Sequence, residues 1–191
     1  MILKYFRCLL YLSAAFAATG AFAASRQDEA VITAFDAYRA GDAIKFARQA
    51  KRVDGNHVLA PWIDYWRLAM RLEDASIKDV HGFFSKHADT YVAELLRGDW
   101  LKVAGKRGNW QEFEREAALY PRDDLEIRCY ASLSRMERGE DAALPEGWWL
   151  EPAEFPDGCA RLAESLVKAG RISTTQIWRR VRVLFENGQI T

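Results

Sequence analysis

Residues 91–117, YVAELLRGDWLKVAGKRGNWQEFEREA, carry the pattern on which the fold turns. Val92, Leu95, Leu96, Trp100 and Val103 recur at i, i+3, i+4, i+8 and i+11, which is one face of an α-helix. Gly108 then stops that helix. Asn109, followed by Glu112 three residues on, reads as the N-cap and capping box of the next. The stretch is therefore a helix, a tight turn and a second helix, and a striped helix needs a neighbour to cover its apolar face.

The same grammar runs outward in both directions. Cys159, Leu162, Ala163, Leu166 and Val167 form another stripe, as do Ile177, Val181, Leu184 and Phe185 with Trp178 beside them. Gly41–Asp42, Asp123 with Glu126, and Gly170 with Ser173 repeat the punctuation of a C′ glycine and a capping side chain. Helices are predicted over 28–40, 42–53, 58–73, 76–87, 90–106, 110–118, 123–138, 158–169 and 174–187. Past Ser25 no run of alternating residues bounded by turns suggests a hairpin. Gly108, Gly139 and Gly170 stand 31 residues apart, near the period of paired-helix repeats. The Trp, Leu-Gly and Pro pattern of a strict tetratricopeptide repeat is absent. The expected fold is all-α, a superhelical array of antiparallel helix pairs of the α-solenoid kind.

One stretch resists, Glu140 to Pro156, which holds Pro145, Pro152, Pro156, Gly147 and the pair Trp148–Trp149. It reads as a structured loop whose tryptophans dock on the array. Trp62, Trp66, Trp100, Trp110 and Trp178 fall on or beside apolar helix faces and are expected in the core, with Tyr65. Of the adjacent loop pair, one ring is the better candidate for exposure to a ligand.

Residues 1–23 read as a cleavable secretory signal peptide. Lys4 and Arg7 open it, Cys8 to Ala18 is apolar but for Ser13, and Ala21-Phe22-Ala23 is an A-x-A cleavage pattern. The apolar run is shorter than the roughly 20 residues of a membrane span, so no membrane anchor is expected after cleavage. Residues 24–191 are then a helical-repeat domain delivered to the periplasm. Cleavage also leaves two cysteines, Cys129 and Cys159, in an oxidising compartment, where one disulfide is the natural pairing. The intervening loop is long enough to run back along the helix that carries Cys129. Closing it is worth roughly 3 to 4 kcal/mol on the chain-entropy account.

Composition argues against several classes of function. The 191 residues contain 27 Lys plus Arg and 27 Asp plus Glu, so no global field draws the chain to nucleic acid. His57, His81 and His87 form no metal-ligand spacing, and no metal or cofactor is expected. No nucleophile-elbow, dinucleotide or P-loop motif occurs. The acidic residues mostly fall on polar helix faces and read as solvated, and so does the cluster Arg179, Arg180 and Arg182. No catalytic residue is assigned.

Four segments carry a family resemblance: HVLAPWIDYWRLAMRLED at 57–74, FFSKHADTYVAELLRGDWLKVAGKRGNWQEF at 83–113, LEIRCYASLSRMERG at 125–139 and PDGCARLAESLVKAGRISTTQIWRR at 156–180. In order they resemble the N-terminal superhelical part of the soluble lytic murein transglycosylases, whose paired cysteines fall where Cys129 and Cys159 stand. The resemblance implies a periplasmic role in cutting peptidoglycan glycan strands between N-acetylmuramic acid and N-acetylglucosamine, leaving a 1,6-anhydro sugar and using no cofactor. The family's catalytic Glu lies in a C-terminal lysozyme-like domain, at a Glu-Ser followed by G-L-M-Q. Glu164-Ser165 is the comparable dipeptide here, but no G-L-M-Q follows it. The expectation is a non-catalytic segment, truncated at its C-terminal end, whose partners are the glycan strand and a missing catalytic domain. A free-standing periplasmic helical-repeat adaptor is the alternative. The residues do not say whether 25–56 form a full repeat.

Overall fold

A computed structural model describes residues 26–142, 145, 147–150 and 153–189. The signal-peptide reading falls on residues 1–23, outside the described residues. Everything regular among the described residues is helical. The order is α1 (26–39), α2 (Ala43–Ala50), α3 (Ala60–Ala69), a 3₁₀ turn (Leu72–Asp74), α4 (Ile77–Lys86), α5 (Tyr91–Lys106) and α6 (Trp110–Ala117). There follow α7 (Leu125–Glu137), a second 3₁₀ turn (Trp148–Leu150), α8 (Asp157–Lys168) and α9 (Thr174–Glu186). The all-α expectation holds. The chain divides into two compact units, one up to Ala93 and one from Glu94. No described helix is long and apolar enough to cross a membrane.

The glycines that end these helices have a structural cause. Gly108, Gly139 and Gly170 take φ of 67°, 73° and 67°. At each, the glycine N–H donates to the carbonyl three residues back and the next N–H to the carbonyl five back, as in Gly108 to Gly105 and Asn109 to Ala104. This is the Schellman close of a helix, and a left-handed residue with a Cβ would cost about 1 to 2 kcal/mol there. The same close ends helices at Gly41 and Gly188, so it accounts for the glycines themselves and not for their 31-residue spacing.

N-caps open the helices that follow. Asp42 accepts from the Lys45 N–H at 2.8 Å, Ser76 from Asp79 at 3.1 Å, and Ser173 forms a full capping box with Gln176. Two expectations are corrected. The cap of α7 is Asp124, not Asp123: Asp124 is extended and accepts from the Ile127 N–H at 3.1 Å, while exposed Asp123 pairs with Arg128. The helix expected over 58–73 is broken. Leu59 precedes the first turn at Ala60, where Pro61 sets the helical φ, and α3 ends at Ala69. Arg71 leaves helical geometry at φ −130°, which swings Leu72 into the core on a 3₁₀ turn.

In the first unit α2 and α4 pack against α3. Its core comprises the Ala30, Val31, Ala34 and Ala37 seam of α1 with Phe46, Ile63, Trp66, Leu68, Val80 and Phe83. His57 bonds Asp28 at 3.0 Å and accepts from the Leu59 N–H, tying the lead-in of α3 to α1. His87 is buried against the Phe83 ring and 3.1 Å from Asp64. Burial alone would raise the Asp64 carboxyl, but Lys86, His87 and Arg67 outweigh it and hold the group below its ordinary value.

In the second unit α7 and α8 are the main packed pair, and Leu101, Phe113, Tyr130, Leu162 and Leu166 are buried around them. Asp124 also meets Lys102 of α5 at 2.9 Å. Burial pushes its carboxyl up, and the Lys102 ammonium with the Ile127 N–H more than reverses this. Because the folded pKa is depressed, this group's contribution is complete above the ordinary carboxylate value and is lost as pH falls through the folded one. Asp124→Asn keeps the cap and removes the charge. The wild-type chain is expected to lose more thermal stability than this variant between about pH 5 and about pH 3, read by circular dichroism. Equal losses would mean that the pair contributes nothing.

Candidate functional site: an aromatic cleft on a disulfide-closed loop

The segment the sequence could not place is built around one covalent tie. Cys129, buried in the first half of α7, is bonded to Cys159 in the first turn of α8, with 5.0 Å between their Cα atoms. The chain between them leaves α7 at Gly139 and re-enters at Pro156, the N-cap of α8. On the way it buries Pro145 and Trp148, the latter 5% exposed. Trp148 stacks on Phe155 at 5.0 Å and meets Trp149 edge-on at 5.5 Å.

A latch from α9 completes the arrangement. Arg180 is 6% exposed, its guanidinium lies 3.5 Å from the Phe155 ring centre, and it donates to the carbonyls of Trp149 at 3.0 Å and Ala153 at 2.7 Å. Trp149 returns a bond from its indole N–H to the Gln176 carbonyl at 2.9 Å. A guanidinium on a ring face with two carbonyls at its edge is both a cation–π contact and a pair of charge-assisted hydrogen bonds.

This corrects two expectations at once. Arg180 is not part of a solvated basic cluster, although Arg179 and Arg182 are exposed. Trp178 is not core; it is 62% exposed. The cause is helical geometry. At about 100° per residue, positions 178 and 180 point to nearly opposite sides of α9, so an inward Arg180 turns Trp178 out. The signal was present in the sequence, since Arg180 lies between Ile177 at i−3 and Leu184 at i+4 on the apolar stripe.

Beside the latch lies an open cleft of about 320 Å³, lined by Pro145, Gly147, Trp148, Trp149, Leu150, Gln176 and Arg179. The described lining, aromatic and aliphatic with the Gln176 amide and the Arg179 cation, suits a ligand with an apolar face and polar edges, as a sugar ring has. Trp149, half-buried, and Trp148, buried, both contribute to its walls.

Among the described residues no carboxylate lines this cleft. Glu164 is exposed on α8. Glu112 and Glu116 depart from the expectation of solvated acids, for both are 3% exposed. Glu112 accepts from the Trp100 indole at 2.8 Å and pairs with Arg115, and Glu116 pairs with Arg97 at 3.1 Å. Each of these two buried charges has a cation, and the Arg97–Glu116 pair with the Trp100–Glu112 bond braces α5 against α6, while Arg115 meets Glu112 within α6. Glu112 sits at the N3 position expected of it, and Asn109 caps as read.

Fold and site together define an all-α helical-repeat protein with an aromatic cleft held by a disulfide. No protein-family model and no curated protein matches the chain. A solved structure does: the X-ray structure of an inactive mutant of the lytic transglycosylase Slt from Pseudomonas aeruginosa, with TM-score 0.54 and 24% sequence identity over 81% of this chain. The match covers 25% of that protein, so the chain spans about a quarter of its length. At this identity the likeness is one of fold.

Proposed function

We propose that this chain is a non-catalytic superhelical segment of a periplasmic lytic-transglycosylase system, which holds a peptidoglycan glycan strand while a separate lysozyme-like domain cuts it. The observation that carries the reading is the likeness of fold to a lytic transglycosylase over 81% of the chain. The cleft at Trp149, Gln176 and Arg179 supports it, because its described lining suits a saccharide.

Two measurements test this. Purified protein incubated with murein sacculi is expected to release no 1,6-anhydromuropeptides by mass spectrometry; their release would overturn the non-catalytic reading. The protein is also expected to sediment with sacculi, less so for Trp149→Ala and Arg179→Ala. Failure of the wild-type chain to sediment would favour the adaptor reading instead.

A further inference from the structure

The first unit holds a groove between α3 and α4 that the glycan reading does not use. On α3 it is lined by Asp64, Arg67, Leu68 and Arg71, at i, i+3, i+4 and i+7 along one helix face. On α4, Asp79, Gly82, Phe83 and Lys86 repeat the same offsets. Two ion pairs set the register. Lys86 meets Asp64 at 2.6 Å and Arg71 meets Asp79 at 3.3 Å, so the helices run antiparallel and a pair stands at each end of the groove. In that register Leu68 and Gly82 fall at the same level between the two pairs.

Gly82 points to an occupant. Alanine would favour the interior of α4 by about 1 kcal/mol over glycine. Neither space nor backbone forbids it, since a Cβ there meets nothing within 4 Å and Gly82 has no left-handed φ. The other described glycines inside helices, Gly98, Gly105 and Gly158, are each pressed by a tyrosine ring. At Gly82 the missing side chain instead leaves an open hollow of about 230 Å³, bordered by Leu68 and Phe83, both largely buried.

The charge around the hollow is unbalanced. Arg67, Arg71 and Lys86, each more than half exposed, stand against the carboxylates of Asp64 and Asp79. Asp64 alone engages Arg67, Lys86 and His87, so its charge is more than offset. Among the described residues Arg67 and Arg71 each give one Nη1–H to a carboxylate, at 2.7 and 3.3 Å, and keep the rest of the guanidinium fork. They stand one turn apart, about 6 Å along the helix axis.

We infer that this groove binds a phosphate monoester, its phosphate among Arg67, Arg71 and Lys86 and its organic part over Leu68 and Phe83 beside Gly82. Three cationic groups from two helices suit the three terminal oxygens of such a phosphate better than the two of a carboxylate, and a guanidinium can bind phosphate through paired N–H bonds. A dianion also takes up the surplus positive charge. The same chemistry occurs in soluble esters and in lipid headgroups, and the test separates them.

Isothermal titration calorimetry of the full chain with phenyl phosphate is expected to show one site, tighter than for inorganic phosphate, which has no group to cover Leu68 and Phe83. Arg67→Gln and Arg71→Gln should each weaken binding about tenfold, the loss expected for a charge-assisted hydrogen bond. Gly82→Leu should abolish binding by filling the hollow, with a melting curve close to the wild type because nothing lies within 4 Å of that position. Arg48→Gln removes an exposed cation that does not line the groove and should bind as the wild type does. Undiminished binding by Gly82→Leu, or an equal loss in Arg48→Gln, would mean diffuse charge attraction and overturn the proposal. So would no binding by the wild type, or equal affinity for benzoate. If Gly82→Leu fails to fold, the two arginine variants decide. Co-sedimentation with phosphatidylcholine vesicles carrying phosphatidic acid, lost in the same variants, identifies a lipid headgroup; phenyl phosphate binding without co-sedimentation identifies a soluble ester.

Discussion

Replacing Cys129 and Cys159 together by alanine should lower the stability of the chain by about 3 to 4 kcal/mol, the value expected for a bridge with a sequence separation of 30. That estimate treats the bridge as a restraint on the unfolded chain. The folded structure gives it local work as well. Both sulfurs are fully buried in the α7–α8 contact, and the loop they close carries Trp148 into the same core. Urea unfolding of the oxidised protein, the dithiothreitol-reduced protein and the double variant measures the effect. The reduced wild type and the variant should coincide, both well below the oxidised protein. Equal midpoints for all three would show that α7 and α8 hold the loop without the bond.

The second large effect is expected one residue further along the same helices. Tyr130, 1% exposed, is clamped between Gly105 of α5 and Gly158 of α8. A methyl group on Gly105 would stand 2.6 and 2.7 Å from the ring's Cδ1 and Cδ2, and one on Gly158 would stand 2.8 Å from Cε2. An aromatic ring cannot bend away. Its hydroxyl is also fixed, donating to Asp157 at 2.9 Å, and burial followed by that carboxylate pushes the phenol well above its ordinary pKa, so it remains the donor. Gly105→Ala and Gly158→Ala should therefore each destabilise by about 1 to 3 kcal/mol, although alanine favours a helix interior by up to about 1 kcal/mol over glycine. Gly82→Ala is the control, because its helix position is open and nothing lies within 4 Å. That variant should be neutral or slightly stabilised. Thermal melts of the three would decide; stabilisation of Gly105→Ala would mean that α5 and α7 can separate without cost.

Particular residues show where reading the chain succeeded and where it stopped. The stripe Val92, Leu96, Trp100, Val103 and the stop at Gly108 could be read because helical periodicity and a left-handed glycine are local properties, set by covalent geometry over a few residues. Asp124 displaced Asp123 as a cap because two adjacent acids are locally equivalent, and contact with Lys102 of α5 distinguishes them. Glu112 and Glu116 looked solvated because Trp100 and Arg97, which bond them from α5, are known as partners only once α5 lies on α6.

The candidate surfaces divide in the same way. Trp149 was legible as an unusual ring because it sits in a Pro-rich break in the helical pattern. The outward turn of Trp178 was not, because a ring beside a striped helix face resembles core until the inward face of that helix is known. By itself the sequence determined the all-α class, the glycine stops and the two cysteines available for a bridge, since each follows from local stereochemistry or residue identity. Only the tertiary structure decided which rings face solvent, that Arg180 lies inside and Trp178 outside, and that Tyr130 needs two glycines. Those depend on which helix faces meet, and long-range packing is not written in any short stretch of chain.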